Sequence, residues 1–501
     1  MRPGNDTRRG RRGLALGAAA ALALLVPLVA LAATREAATP SATSAAPDFA
    51  REIAPIVQAK CAGCHRLGGI APFAFRTEAD VAGKAAAIVA AVESRRMPPW
   101  PPGAASPRYV GQDLRTLSAA QRETLLRWAR AQLVRPGAPR SRTPVGTPPT
   151  QGVRARAGET TLDLRMPSAY TPRATGGATD DYRCFLLDPK LAQDAFVTSA
   201  RIAPGAAALV HHVILYRVLP DVVAEAERLD RGAPGQGWTC FGGSGVRQPL
   251  NASGGGGSGS FLDDAGWISA WAPGWGGDRL PAGIGISLPQ GSRVVMQVHY
   301  NLLNGKAPDR SRAVLTTVPA TKALTPVHTM LLPAPVELAC PRGATGPLCD
   351  RTAAQFDQIK KYGGEAGLFP TGLLLLCKKN ASAPQATPVA SCDRTIDRPT
   401  TIRAAAGHMH LLGRSVKVEL NPGTSRAKVL LDIPRWDFHW QASYVLRTAV
   451  KAAAGDVVRV TCRHDAALRE RYLPDAQPRY VLWGEGTTDE MCLGILQVTR
   501  D

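Results

Sequence analysis

The spacing of apolar residues changes period along this chain. Near the N-terminus it is helical. DFAREIAPIVQAKC (48–61) and ADVAGKAAAIVAAVESRR (79–96) place apolar residues at three- and four-residue intervals. A third helix is predicted to open at Ser118, a suitable N-cap, with Leu125, Leu126, Trp128, Ala129 and Leu133 as its apolar face. From about residue 156 the period shortens to two. Runs such as ALVHHVILYRV, RVVMQVHYNL, SVKVELN, AKVLLDI, DVVRVTC and RYVLWG alternate β-branched and polar positions between Gly/Pro turns. The pattern predicts a multidomain chain. A small all-α block spans 48–133. Two all-β, jelly-roll-like sandwiches follow at 156–310 and 311–501, with their junction near 303–325, because the β stretch is too long for one sandwich.

Composition fills in the connections. Residues 134–155 are rich in Pro, Gly, Ser and Thr and read as an inter-domain linker. Residues 1–33 carry Arg8, Arg9, Arg11 and Arg12, then an apolar run ending in Ala30-Leu31-Ala32, which predicts an export signal. Left uncleaved, that run would be a membrane anchor. No other segment has spanning length. Residues 34–47 read as a flexible tether. The expected location is periplasmic or secreted. The net charge is +20. No basic run outside the signal resembles a nucleic-acid footprint, so the charge reads as an Arg-rich solvated surface that could also steer an acidic redox partner.

Candidate chemistry sits in the histidines and cysteines. Cys61-Ala-Gly-Cys64-His65 has the C-x-x-C-H form that attaches haem c through two thiols and ligates its iron by the histidine, and Met97 is a candidate opposite ligand. Over 48–133 the block resembles a small class I cytochrome c at Cys61, Cys64, His65 and Met97. The other eight cysteines are an even set in a chain read as exported, which predicts disulfides. No second C-x-x-C exists to complete a four-thiolate zinc site.

Five histidines fall in three β motifs: His211-His212, His299 and His408-Met409-His410. Met491 follows in TTDEMCLG. Imidazoles with one thioether and no thiolate suit copper that changes oxidation state. His408 and His410 share a strand face, while Met409 points to the core. His211 and His212 would face opposite ways unless the strand bulges there; otherwise only one is a ligand. His328, His439 and His464 fit no such motif, and His464 is expected to be exposed among charges.

VHHVILY, the AWAPG near Trp271, VMQVHYN, GHMHLLG and TTDEMC, in this order, resemble the copper type II, ascorbate-dependent monooxygenases, the family of peptidylglycine α-hydroxylating and dopamine β-monooxygenases. The resemblance spans about 156–501. It implies two sandwiches with one copper each, facing each other across a solvent-filled cleft. His211, His212 and His299 would hold an electron-transferring copper. His408, His410 and Met491 would hold the copper that binds oxygen beside the substrate. It also implies disulfides Cys184–Cys240 and Cys462–Cys492, and leaves Cys340, Cys349, Cys377 and Cys392 to pair among themselves. The peptide-amidating branch anchors its substrate with an Arg two residues before the H-x-H and an Asn and Tyr two and four after the Met. Here those positions are Ala406, Leu493 and Ile495.

The expected activity is therefore oxygen insertion into a C–H bond of a small, rather apolar organic molecule. Electrons would come through the fused haem block, from ascorbate, or from an external cytochrome. The linker would hold the haem block at high effective concentration. The alternative is a non-catalytic periplasmic protein that carries copper and haem for electron transfer or copper binding.

Overall fold

The computed structural model describes residues 46–67, 71–134, 142–146, 155–173, 180–240, 243–246, 262, 265–271, 278–302, 305–362, 364–438, 440–484 and 489–500. The expected signal, most of the tether and most of the linker lie outside them.

The helical block is built from Phe49–Ile53 running into Ala54–Lys60, then Glu78–Ala82, Ala85–Glu93, Gln112–Arg115 and Ala119–Val134. Local chemistry starts these helices. The Asp48 carboxylate accepts from the Arg51 N–H at 2.7 Å, and Thr77 with Asp80 forms a capping box. Ser118 and Gln121 cap reciprocally, each backbone N–H donating to the other's side chain at 3.1 Å. The helices bury Ile53, Val57, Val81, Leu125 and Trp128 in one cluster. Leu133, expected on that apolar face, is 47% exposed because it lies in the last turn, beyond the reach of the cluster. Part of the linker folds back on the block. The Val145 N–H donates to the Arg76 carbonyl at 2.8 Å, and its side chain joins the core.

Among the described residues one sheet runs through both β regions. Its order is Thr160–Arg165, Arg312–Pro319, Ala195–Ala203, Ile284–Leu288, Thr325–Pro333, Leu493–Arg500, Thr400–His408 and Ser443–Ala452. Facing its first half is a sheet of Trp238–Thr239, Asp180–Leu187, Arg293–Asn301, Val210–Val218 and Trp267–Trp271. Its second half belongs to the same core as a sheet of Val389–Thr395, Val457–His464, Gly413–Leu420 and Lys428–Ile433. Two sandwich cores result. One gathers Leu215, Met296, Val298 and Leu315. The other gathers Met409, Val416, Val418, Leu430, Val460 and Leu496. The strand Arg312–Pro319 pairs with Thr160–Arg165 and Ala195–Ala203, so it lies in the first sandwich although it follows residue 310. Close approach of the two sheets requires glycine at 407, where a Cβ would stand 2.6 Å from Val416 Cγ1.

The helical block does not hang from its linker alone. Between Ala85–Glu93 and Gln112–Arg115 the chain lies across the second sandwich. The Gly103 N–H donates to the Asp432 carbonyl at 2.8 Å, and the Val110 N–H to Val445 at 2.8 Å. The Ser106 hydroxyl donates to the Asp432 carbonyl and accepts from its N–H, both at 2.9 Å. Tyr109 is 1% exposed, belongs to the second core and donates to the Leu430 carbonyl at 2.8 Å. Asp113 pairs with Arg447 at 2.9 Å.

Four disulfides close: Cys184–Cys240, Cys340–Cys349, Cys377–Cys392 and Cys462–Cys492. No helix among the described residues is long and apolar enough to cross a membrane. Cys184–Cys240 spans 56 residues. By loop entropy, replacing both by Ser should cost about 4 kcal/mol, measured as a lowered midpoint in denaturant unfolding under non-reducing conditions.

Candidate functional site

Two neighbouring strands build the first histidine group. Val210–Val218 and Arg293–Asn301 pair antiparallel, with His212 opposite His299. The register shifts between Val210 and His212, so His211 sits in a bulge. That irregularity lets adjacent histidines turn to one place. His212 Nδ1 lies 3.2 Å from His211 Nδ1 and 3.3 Å from His299 Nδ1. One ligand nitrogen from each ring falls within a 4.8 Å group. Tyr182 stacks on His299 at 4.1 Å and 11°. Burial holds His212 well below the ordinary imidazole range, and His299, His211, His408 and His410 lower it further. Its neutral form is the ligating one.

The second group sits where Thr400–His408 and Leu493–Arg500 end together. His408 pairs with Leu493; His410 and Met491 lie just past these strand ends, and the backbone N–H groups of both donate to the Glu490 carboxylate. The His408 and His410 rings are 5.0 Å apart and edge-on, and Met409 is fully buried in the core. His408 Nδ1 meets Gln441 Oε1 at 2.6 Å, and His410 Nδ1 meets the Asp489 carbonyl at 3.3 Å. In His408 a partner on Nδ1 leaves Nε2 for a ligand. Disulfide Cys462–Cys492 ties the residue after Met491 to the facing sheet.

Glu490 organises this end. It is fully buried, and its carboxylate accepts from the His410 N–H, from the Met491 N–H at 2.9 Å and from the Leu412 N–H at 2.8 Å. Burial pushes the carboxyl up to about 8, against the pull of those three donors, with Asp489 adding to the rise. His464 is 4% exposed. The expectation of exposure fails because its strand is interior and the ring lies beneath the Met491 backbone, Nε2 to carbonyl 3.2 Å. Burial holds it down to about 4. His328 is half-buried on Thr325–Pro333, outside the described triad, and His439 lies outside the described residues.

Phe438 joins the two groups. Its ring stacks on His211 at 5.1 Å and 17°, and meets His410 edge-on at 6.2 Å. His211 and His410 are thus linked through one aromatic side chain, where the resemblance implies open solvent between the sites. The Trp436 indole donates to the His410 carbonyl at 3.0 Å. Beside this end Leu331, Ala406 and Ile495 form an apolar cluster with Ala265, Trp267 and Leu493, drawn from both sandwiches.

In the helical block the C-x-x-C-H residues occupy the turn after Ala54–Lys60. The His65 N–H donates to the Cys61 carbonyl at 3.0 Å. Its Nδ1 meets the Phe73 carbonyl at 3.2 Å, and the ring stacks on Phe75 at 4.7 Å. Cys61 and Cys64 are free thiols. Burial, then Cys64, pushes the Cys61 thiol up to about 12; burial also raises Cys64, opposed by Arg115. Met97 is half-buried.

The residues present fit the implied groups. Three convergent imidazoles are a copper(I/II) donor set. A histidine with Nδ1 engaged, beside two unpaired thiols in a chain whose other cysteines are all bridged, has the donor chemistry that haem c attachment needs.

Residues 376–497 match the family model described as copper type II ascorbate-dependent monooxygenase, C-terminal domain. The match includes His408, His410 and Met491. It supports the copper type II monooxygenase family and, at that level, a copper-using oxidoreductase. No curated protein matches the chain. Among solved structures, the major capsid protein P2 of bacteriophage PM2 aligns with TM-score 0.22 and 9% identity, over 68% of this chain and 97% of that one. Allantoicase aligns with TM-score 0.14 and 10% identity, over 66% and 90%. A fucolectin from Morone saxatilis serum aligns with TM-score 0.12 and 9% identity, over 65% and 84%. At these scores the three say nothing about this fold.

Gln441, Phe438 and Tyr182 escape motif reading, and Glu490 lies within TTDEMC without a role that the motif assigns. Only Glu490 leaves a local trace, as a charge entering an apolar run. Glu490→Ala strands three backbone donors and should cost roughly 3–6 kcal/mol, measured as a lower midpoint in chemical denaturation.

Proposed function

We propose that this chain is a copper monooxygenase that hydroxylates a C–H bond of a small apolar molecule and draws its electrons through a c-type haem held in its own helical block. One observation carries the reading. The His211–His212–His299 triad and the His408–His410 pair stand at the junction of two sandwiches, joined by Phe438. A storage site requires one group; a reaction that consumes two electrons uses two.

The balance is substrate C–H, O2, two electrons and two protons giving C–OH and water. Copper, when bound, supplies one-electron redox chemistry and oxygen binding. His211, His212 and His299 would hold the electron-transferring ion. His408, His410 and Met491 would hold the other, where a weak thioether favours the reduced state. The chain's own contribution is positional. The bulge at His211 converges the triad. Gln441 and the Asp489 carbonyl fix the orientation of His408 and His410. Glu490 clamps the backbone on either side of the second site. Phe438 and the Ala406–Ile495–Trp267 cluster keep water away and favour an apolar substrate. Ala406, Leu493 and Ile495 offer no partner for a substrate carboxylate. In the helical block Cys61 and Cys64 would carry the thioether links, with His65 and Met97 as axial ligands. Ascorbate or an external cytochrome would renew the electrons. The disulfides fit an oxidising compartment outside the cytoplasm.

Metal and haem analysis of the exported protein should find two coppers and one haem per chain. His212→Ala should lower copper to one. Met491→Ala should abolish reductant-dependent oxygen uptake while the triad keeps its copper. Full uptake by Met491→Ala, or zinc in place of copper, would remove the mechanism and leave an electron-transfer or metal-binding protein.

A further inference from the structure

The helical block touches the second sandwich at one aromatic junction. Trp100 meets Tyr444 edge-on at 5.4 Å, Tyr109 meets Tyr444 at 5.2 Å, and Trp100 meets Tyr109 at 6.1 Å. Trp100 follows Met97 by three residues. Tyr444 is 3% exposed and pairs with Ala405 on the strand that ends at His408. Three residues before Tyr444, Gln441 meets His408. Three residues earlier again, Phe438 touches His410 and His211. One short stretch of chain therefore contacts the helical block at one end and both histidine groups at the other. The strap that delivers Trp100 and Tyr109 is fastened on both sides, by Gly103 and Ser106 to Asp432 and by Val110 to Val445. Arg435 also donates to the Ser94 carbonyl at 3.0 Å.

We propose that the Trp100–Tyr109–Tyr444 junction is a fixed electron entry, which delivers electrons from the C-x-x-C-H block to both histidine groups, to the His408 end through Gln441 and to the triad past Phe438. The proposal rests on the function proposed above. It replaces a block that swings on its linker with one docked for transfer. Each event moves one electron: haem iron goes from ferrous to ferric and one copper from cupric to cuprous, with no bond made or broken. Two events serve one turnover, and an external reductant, ascorbate or a reduced cytochrome, restores the haem.

The test uses the full chain loaded with haem and copper, without oxygen. A laser flash with a flavin donor injects less than one electron per chain, and reoxidation of the haem is followed by its visible absorbance. The wild type should show a phase whose rate is independent of protein concentration and of ionic strength. Trp100→Leu and Tyr444→Leu should slow it by an order of magnitude or more. Tyr444→Phe, which keeps the ring, should stay within a factor of two. Reduction of the coppers by added ascorbate should be unchanged in all variants. Unaltered rates in both leucine variants, with haem and copper content intact, would overturn the junction alone. A wild-type phase that scales with protein concentration or weakens with salt would overturn it without any variant. A chain that takes up no haem would overturn the junction and the underlying function together.

Discussion

Two residue pairs of parallel strand hold the two halves of the β region in one sheet: Thr325 beside Ile284 and Pro326 beside Gly285. The backbone ladder passes from Ile284–Leu288 into Thr325–Pro333, then Leu493–Arg500 and Thr400–His408. This continuity sets the separation and angle of the sandwiches, because strand spacing and twist leave a sheet little freedom to slide. Both histidine groups depend on it. The triad belongs to the sheet that covers the first half, and the His408–His410 pair terminates a strand of the shared sheet. Ala265 and Trp267 of one side reach Ala406 and Ile495 of the other for the same reason.

Around that frame most polar groups near the two histidine groups find partners within the chain. The triad imidazoles turn to one another. Glu490 gathers three backbone donors that a tight turn would otherwise leave orphaned in an apolar core. The desolvation of its carboxyl is large, yet the alternative is three unpaired N–H groups. The same logic explains the disulfide after Met491. The loop that carries Met491 has its backbone fixed from outside, since Cys462 lies on an interior strand of the facing sheet.

The docked helical block changes the picture of the proposed redox assembly. A linker of flexible composition suggests high local concentration with free geometry. The strap instead inserts Tyr109 into the second core and adds backbone pairing at Val110, so the block and sandwich share hydrophobic surface. Distance then becomes a constant of the fold.

Much of this was legible in the chain because it is local. Period-three and period-two spacing announced the helical block and the strands, and Ser118 announced a cap; the H-x-H motif was read as two rings on one strand face, but the strand ends at His408 and His410 lies just past it. Local signals also misled: His464 among charges looked exposed and is buried, since its neighbours in space are the strands on either side and not the residues beside it in sequence. The bulge at His211 could be stated as a condition but not decided, because a bulge is a property of two paired strands. Phe438, Gln441 and Tyr444 carry no motif, and Ser106 meets Asp432 across 326 residues of separation. The sequence by itself determined which side chains can bind metal and which stretches alternate. Only the tertiary structure decided which of them meet, because meeting depends on strand pairing and packing between distant segments, which no local pattern encodes.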